Sequence, residues 1–442
     1  MRPHCPLYAL ALGAPLTFAV ACGPTDHRVA RVRPIDVGDA AIDRPAADVP
    51  VGFCDPRAPC RPAVVATAFR YAVCACGQWS SAASLVTDSF DSSRGPYTAP
   101  GGSAGSVGTN TSLTEGGRFD IRGSLWVGGD AGIHAPAALR VSEVVRSNGD
   151  LIGLDEVSAH DAFVNGEVRA RDLRVPGVLT LPPGRTITVS GARVVGAERR
   201  EAVSVSPPCD CDPSNRPPIA RLVADRRDDN DNRAAGLDAD TLTRASRPAR
   251  VELACGRYYL RGITGTTALT IVAAGRVELY VEGRIEMQDD LRVELASGGE
   301  IDLFVTENID LHRGFYFGSP ERPARARVFI AGARQIALAG ESRFAGNLYA
   351  PDTEVQLSGG AEVFGSLLAR RFAVSGNLTV HYDRAVLDPG ACAPAVAPTT
   401  CATCRECPGQ ACVRGRCGAC ASDADCCAPL RCASGRCLAE PP

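Results

Sequence analysis

The stretch VQLSGGAEVFGSLLARRFAVSGNLTVHYD, Val355 to Asp383, decides the fold. Apolar and polar residues alternate in runs of strand length, and pairs of small residues cut the runs apart. No two-residue turn of the Asn-Gly type joins neighbouring runs, so these strands do not read as hairpins. Instead a phrase recurs. Leu338-Ala339-Gly340 returns as Leu357-Ser358-Gly359 after 19 residues, and as Val374-Ser375-Gly376 after a further 17. Gly346-Asn347-Leu348 and Gly365-Ser366-Leu367 repeat at 19 in step with it, and upstream Gly149-Asp150-Leu151 returns as Gly166-Glu167-Val168 at 17.

A repeat of about 17 to 20 residues is one circuit of a β-solenoid with two or three short strands. Each circuit stacks on the next at about 4.8 Å, so that backbone bonds run between turns and not between sequence neighbours. The expected inward columns are Val355, Leu357, Val363, Leu367, Phe372, Val374, Leu378 and Val380. Gly and Asn are expected at the corners, where φ is positive. The fold class is therefore mainly β: a single-stranded right-handed parallel β-helix with an inserted loop and helix region and a small C-terminal disulfide-rich domain. A β-sandwich or jelly roll is the alternative, but its strands do not repeat in register at this period.

Composition agrees. Aromatics are 5% of the 442 residues, Gly and Pro number 45 and 32, and the apolar residues are mostly Val, Leu, Ala and Ile, as many short strands with frequent turns require. The net charge of −3 does not point to nucleic acid. Every basic residue is Arg, which excludes a lysine nucleophile or Schiff base.

The start of the chain sets the compartment. Arg2, an apolar run from Leu7 to Val20 and small residues before Cys22 read as a signal peptide. Ala19-Val20-Ala21-Cys22 resembles the bacterial lipobox, with Ala19 where Leu is usual, and the resemblance implies lipidation of Cys22. An ordinary cleavable signal is the alternative. Of 20 Cys, cleavage removes Cys5 and lipidation occupies Cys22, leaving an even number for disulfides in an oxidising compartment. Gly23 lacks the Asp that retains many lipoproteins in the inner membrane, so the expected location is the cell envelope, anchored in the outer membrane and periplasmic or surface-exposed.

The chain divides as follows: residues 1–21 a lipoprotein signal peptide, 22–53 a disordered tether, 54–118 a Cys-containing N-terminal cap with a flexible loop, 119–195 a first solenoid part, 196–250 a polar insertion, 251–386 a second solenoid part, 387–400 a linker, and 401–442 a disulfide-rich domain. Within the insertion, Ile219 to Arg227 reads as a short helix. In GRVELYVEGRIEM, Val277, Leu279, Val281 and Ile285 take one face, and Arg276, Glu278, Tyr280, Glu282, Arg284 and Glu286 a solvated one.

The phrases LACGRYYLRGI, LYAP and TVHYD, within roughly Gly123 to Val386, resemble a domain-of-unknown-function family of bacterial, myxobacterial-type surface lipoproteins and pilus-assembly-like proteins. The resemblance implies a β-helical surface domain and transfers no activity.

In the tail, Cys401, Cys404, Cys407, Cys412, Cys417, Cys420, Cys426, Cys427, Cys432 and Cys437 lie two to five residues apart with one adjacent pair. So short a segment cannot bury a core, and disulfides replace one. Its Cys spacing resembles the Dickkopf-type cysteine-rich segment, which implies a binding module. Zinc is the rival reading of the Cys-x2-Cys spacings, but His is absent nearby and export favours oxidation. Cys54, Cys60, Cys74, Cys76, Cys209, Cys211, Cys255 and Cys392 are further disulfide candidates, stapling loops to the solenoid.

Asp228, Asp229 and Asp231 are weak candidates for structural Ca²⁺, because an EF-hand starting at Asp229 would place Ala234 where Gly is needed. No other cofactor is expected. For glycan cleavage the candidate acids are Asp289 and Asp290 and the row Glu278, Glu282 and Glu286, but no acid pair recurs at turn spacing. His381 and Asp383 are expected to cap the last turn. The expected function is structural, adhesive or ligand-displaying at the envelope, not catalytic. Its partners are the membrane, through the lipid, and a surface protein or glycan. A β-helix polysaccharide lyase or hydrolase is the alternative.

Overall fold

A computed structural model describes residues 68–387, apart from 82–83, 115, 135–136 and 339–341, together with parts of 411–438. Cys22, Cys54, Cys60, Cys392, Cys401, Cys404, Cys407 and Cys427 lie outside the described residues, as do the signal peptide, the tether and the 388–400 linker.

The body is a parallel β-solenoid of about 13 turns with almost no helix. A typical turn has three strands, as in Leu269–Ala273, Arg276–Val281 and Ile285–Met287, each paired in parallel with the same strand of the next turn. The two intervals in the opening stretch are registers of this ladder. Leu348 sits opposite Leu367, 19 residues on, whereas Leu357 sits opposite Val374, 17 on. A β-bulge between Ala350 and Glu354 absorbs the two-residue difference. Longer turns escape the sequence period: Leu291 lies opposite Phe315, and Tyr316 lies opposite Arg343, the second of these circuits carrying the excursion with the Pro323–Arg325 3-10 helix.

All eight residues read as inward are buried. They belong to columns that run nearly the length of the stack. One column reads Leu279, Leu303, Val328, Leu348, Leu367, Val73, Val107, Leu125, Val145, Ala162 and Leu179, each opposite the next. Each side chain is buried above and below by its neighbours, worth about 1.5–3 kcal/mol for a Leu or Val. Gly359 and Gly360 turn a corner at φ +77° and +83°. Among the described residues no Asn adopts positive φ. Asn347 serves differently: it is buried within a strand, and its Nδ2 donates to the carbonyls of Pro323 and Ala326.

That column also reveals the path of the chain, which corrects the expected domain order. Val73–Ala75 is not part of a cap. It lies between Ala361–Val374 and Val107–Thr109 in mid-stack. Likewise Leu85–Phe90 continues Leu378–Asp383 through six successive residue pairs. From this seam residues 73–200 wind away to one end of the stack, where Arg193–Arg200 is the last strand. The chain then crosses to the opposite end, resumes at Ala249–Leu253, and winds back to the seam. The solenoid is continuous in space but begins in its own middle. His381 and Asp383 are therefore internal, and the sequence reading of them as an end cap is overturned by the pairing of Leu378–Asp383 with Leu85–Phe90. The stretch expected as a flexible loop before Phe119 contains the strand Val107–Thr109.

The two ends close differently. At the Ala249 end, residues 239–245 form a partial extra turn, with Leu242 buried and Ala245 bridged in parallel to Gly265. At the other end the aliphatic columns change character in the last turn. Leu173 is followed by Arg193, Leu179 by Glu198, and Leu181 by Arg200. Glu198 pairs with both arginines, so an ion triad lies over the end of the core. Inward-pointing charge on an end strand discourages pairing with another chain.

In the C-terminal segment two short antiparallel pairs are described, Ala411–Val413 with Arg416–Gly418 and Arg431–Ala433 with Arg436–Leu438. A disulfide joins Cys420 to Cys432, and Cys426 is also disulfide-bonded.

Candidate functional site

Two features gather polar and reactive groups: the crossing segment, here called the strap, residues 201–248, and the seam. The strap passes the turns in order. The Val205 amide donates to Asn148 Oδ1 at 3.4 Å. Cys209 and Cys211 then form disulfides with Cys74 and Cys76. Arg216 Nη1 reaches Asp352 Oδ2 at 2.7 Å. The helix Ile219–Ala224 follows, shorter than the expected span to Arg227. Ile219 and Val223, one helical turn apart, are its buried face and pack on the strand Glu300–Val305. Farther along, the Arg257 amide donates to Asp231 Oδ2 at 2.7 Å, and the Asn232 side chain pairs with the backbone of Tyr259.

What the strap covers corrects the reading of Tyr280. Outward residues of successive turns form an apolar column, Tyr259, Tyr280, Phe304, Phe329, Tyr349 and Leu368, which runs on to Cys74. Tyr280 and Phe304 stack at 4.9 Å and 8°, Phe304 and Phe329 at 4.9 Å and 11°. All are buried. Alternation alone assigned Tyr280 to solvent; the strap supplies a second cover that the local pattern does not encode. Burial and the neighbouring Glu278 carboxylate raise the Tyr280 phenol well above its ordinary range, and its hydroxyl donates to Glu278 Oε2 at 2.7 Å. Beside this column lies a buried ion pair, Arg327 Nε to Asp302 Oδ1 at 2.5 Å, with Glu300 as second partner. Burial opposes the Arg327 charge, but the two carboxylates outweigh it and raise its pKa.

The acids considered for cleavage are thus dispersed and engaged. Glu278 accepts from Tyr280, Glu282 binds Tyr259 and Arg227 of the strap, and Glu286 pairs with Arg284. Asp290 accepts from Arg292 and from the Gly314 amide, while Asp289 accepts from the Asp290 amide. Nor do the Ca²⁺ candidates converge. Asp229 faces Arg226 and Arg257, and Asp231 caps the Arg257 amide. Among the described residues no group of three His, Cys, Asp or Glu side chains could hold a metal ion.

The seam holds the densest reactive cluster, and sequence reasoning missed it because its members are about 290 residues apart. His381 is buried, with Nδ1 2.7 Å from Asp88 Oδ1 and Nε2 3.2 Å from Glu362 Oε1. Tyr97 lies over the imidazole with ring centroids 4.0 Å apart and donates to Asp88 Oδ2 at 2.6 Å. Burial, with the Asp88 hydrogen bond and charge, pushes the Tyr97 phenol up to about 12. Burial alone would lower the His381 pKa; Asp88 and Glu362 outweigh it and raise it. Both imidazole nitrogens are occupied and a ring covers the face, so the cluster binds two halves of the stack and presents no free base. Nearby, Asp383 accepts from the amides of Ser92, Ala324 and Ala385, tying three segments to the seam.

Residues 204–388 match the sequence profile of a family described as a domain of unknown function (DUF7305). No curated protein and no solved structure matches the chain. The matched segment, less than half of the chain, contains the strap from residue 204 and the turns from Ala249 to the seam, but not residues 73–200.

Proposed function

We propose that the protein is a lipid-anchored cell-envelope scaffold: a solenoid held shut by its own strap, presenting the Cys-rich tail for contact with a protein or glycan without bond chemistry. One observation carries this reading. The acid and imidazole groups placed above, His381, Asp88, Glu362, Asp290, Glu278 and Glu282, are each engaged by a neighbouring side chain. A catalytic site instead needs acid and base converging on one open cleft. The anchor rests on the Arg2-to-Cys22 sequence.

Two measurements test it. Labelled palmitate should enter the protein in a bacterial host and be lost in Cys22→Ser. Incubation with neutral and uronate-containing polysaccharides should release neither reducing ends nor unsaturated products. Product formation that disappears in Asp289→Asn/Asp290→Asn would replace this reading with a glycan-cleaving one.

A further inference from the structure

Among the described residues Arg244 is the one non-glycine with positive φ, at +63°. This left-handed conformation is unfavourable for a side chain of its size. Its amide donates to Thr264 Oγ1 at 2.8 Å, and the next residue, Ala245, bridges to Gly265. Gly265 is required there, since a Cβ would stand 2.6 Å from the Ala245 carbonyl oxygen. Register then places Arg244, Thr264 and Glu286 in one outward column over three successive levels of the stack.

These residues line an open groove of about 370 Å³, together with Ser246, Arg284 and Gln288. That volume is within the range of small-ligand sites. No aromatic ring lines the groove. Arg284 Nε is engaged by Glu286 Oε2 at 2.7 Å. Among the described residues no carboxylate pairs with Arg244, which leaves the groove one guanidinium in excess. The fold thus holds an arginine in strained backbone, unpaired, at the mouth of a groove edged by hydroxyls and an amide.

We propose that this groove binds an acidic glycan, with Arg244 taking a uronate carboxylate and Ser246, Thr264 and Gln288 the sugar hydroxyls. A guanidinium matches a carboxylate with charge-assisted hydrogen bonds, and Ser, Thr and Gln can each donate to or accept from a hydroxyl. An open groove across three levels suits a segment of a chain better than an enclosed small molecule. The inference rests on the scaffold reading and adds to the tail a contact surface on the solenoid itself.

The test is calorimetric titration of the full chain with tetragalacturonate and with its methyl ester. The acid form should bind and the ester should bind about tenfold more weakly. Arg244→Gly should lose affinity by about the same factor while its thermal midpoint stays level or rises, because glycine is at ease at this φ. A wild-type chain that ignores tetragalacturonate, an ester that binds as well, or Arg244→Gly with full affinity or a lowered midpoint overturns the proposal. Absence of binding leaves the scaffold reading standing. Binding followed by cleavage removes the scaffold reading and keeps the groove.

Discussion

His381 and Asp88 are joined by a 2.7 Å hydrogen bond across 293 residues of chain, at the level where the last turn of the second half lies on an early turn of the first. Because Asp88 and Glu362 outweigh burial and hold the imidazole pKa above its ordinary value of 6.5, the charged form favours the folded state. That contribution is complete below pH 6.5 and is lost as pH rises through the raised value. The facing charges are Asp88 on Leu85–Phe90, Glu362 on Ala361–Val374 and the Tyr97 phenol, which titrates far above this window. The urea midpoint of the disulfide-intact protein should therefore fall as pH rises above 6.5. His381→Leu should remove that slope and cost about 2–3 kcal/mol at pH 6, since it leaves Asp88 Oδ1 buried without its imidazole partner while Oδ2 keeps Tyr97. Parallel pH profiles for the two proteins would refute a role for the imidazole charge.

The two strap disulfides predict a non-additive result. Each bridge spans 135 residues, and by the chain-entropy argument the first to close stabilises by about 4–5 kcal/mol. The second joins residues already held two positions away, so it restricts little further chain. Cys76→Ser/Cys211→Ser should lower stability by about 1 kcal/mol or less, whereas removing all four cysteines should cost about 4–5 kcal/mol. Equal, additive losses for the two pairs would contradict this nesting, and chemical denaturation of the three variants decides it.

The sequence carried the local physics well and the long-range path poorly. The intervals of 19 and 17 are registers, and the inward residues from Val355 to Val380 are legible because a strand exposes its alternation in any window. Nothing local distinguishes Val73, which lies between Leu367 and Val107, from a strand in a cap. Starting the stack in its middle costs the sequence no change of pattern. Tyr280 was misread for the same reason, since its cover comes from the strap. Cys74 and Cys76 could be read as staples, but only the strap's path identifies Cys209 and Cys211 as their partners. Asp88 and His381 are unremarkable apart, and no spacing rule connects them.

The end of the stack offers the last test. At Arg193, Glu198 and Arg200 three core columns finish in charge, directly after the buried Leu173, Leu179 and Leu181. Desolvating this triad against another surface would cost several kcal/mol per ion, which keeps the open strand edge from acting as a template. Continuing the columns with Arg193→Val, Glu198→Leu and Arg200→Leu extends the aliphatic core to the edge and removes that penalty. The opposite end is covered by residues 239–245, so head-to-tail stacking stays blocked and two altered ends can meet only each other. Light scattering should show the triple variant forming a closed dimer in a concentration-dependent way, while the parent does not associate through this end. A variant that remains folded and unassociated at high concentration would mean that the charges are not what keeps the edge unpaired.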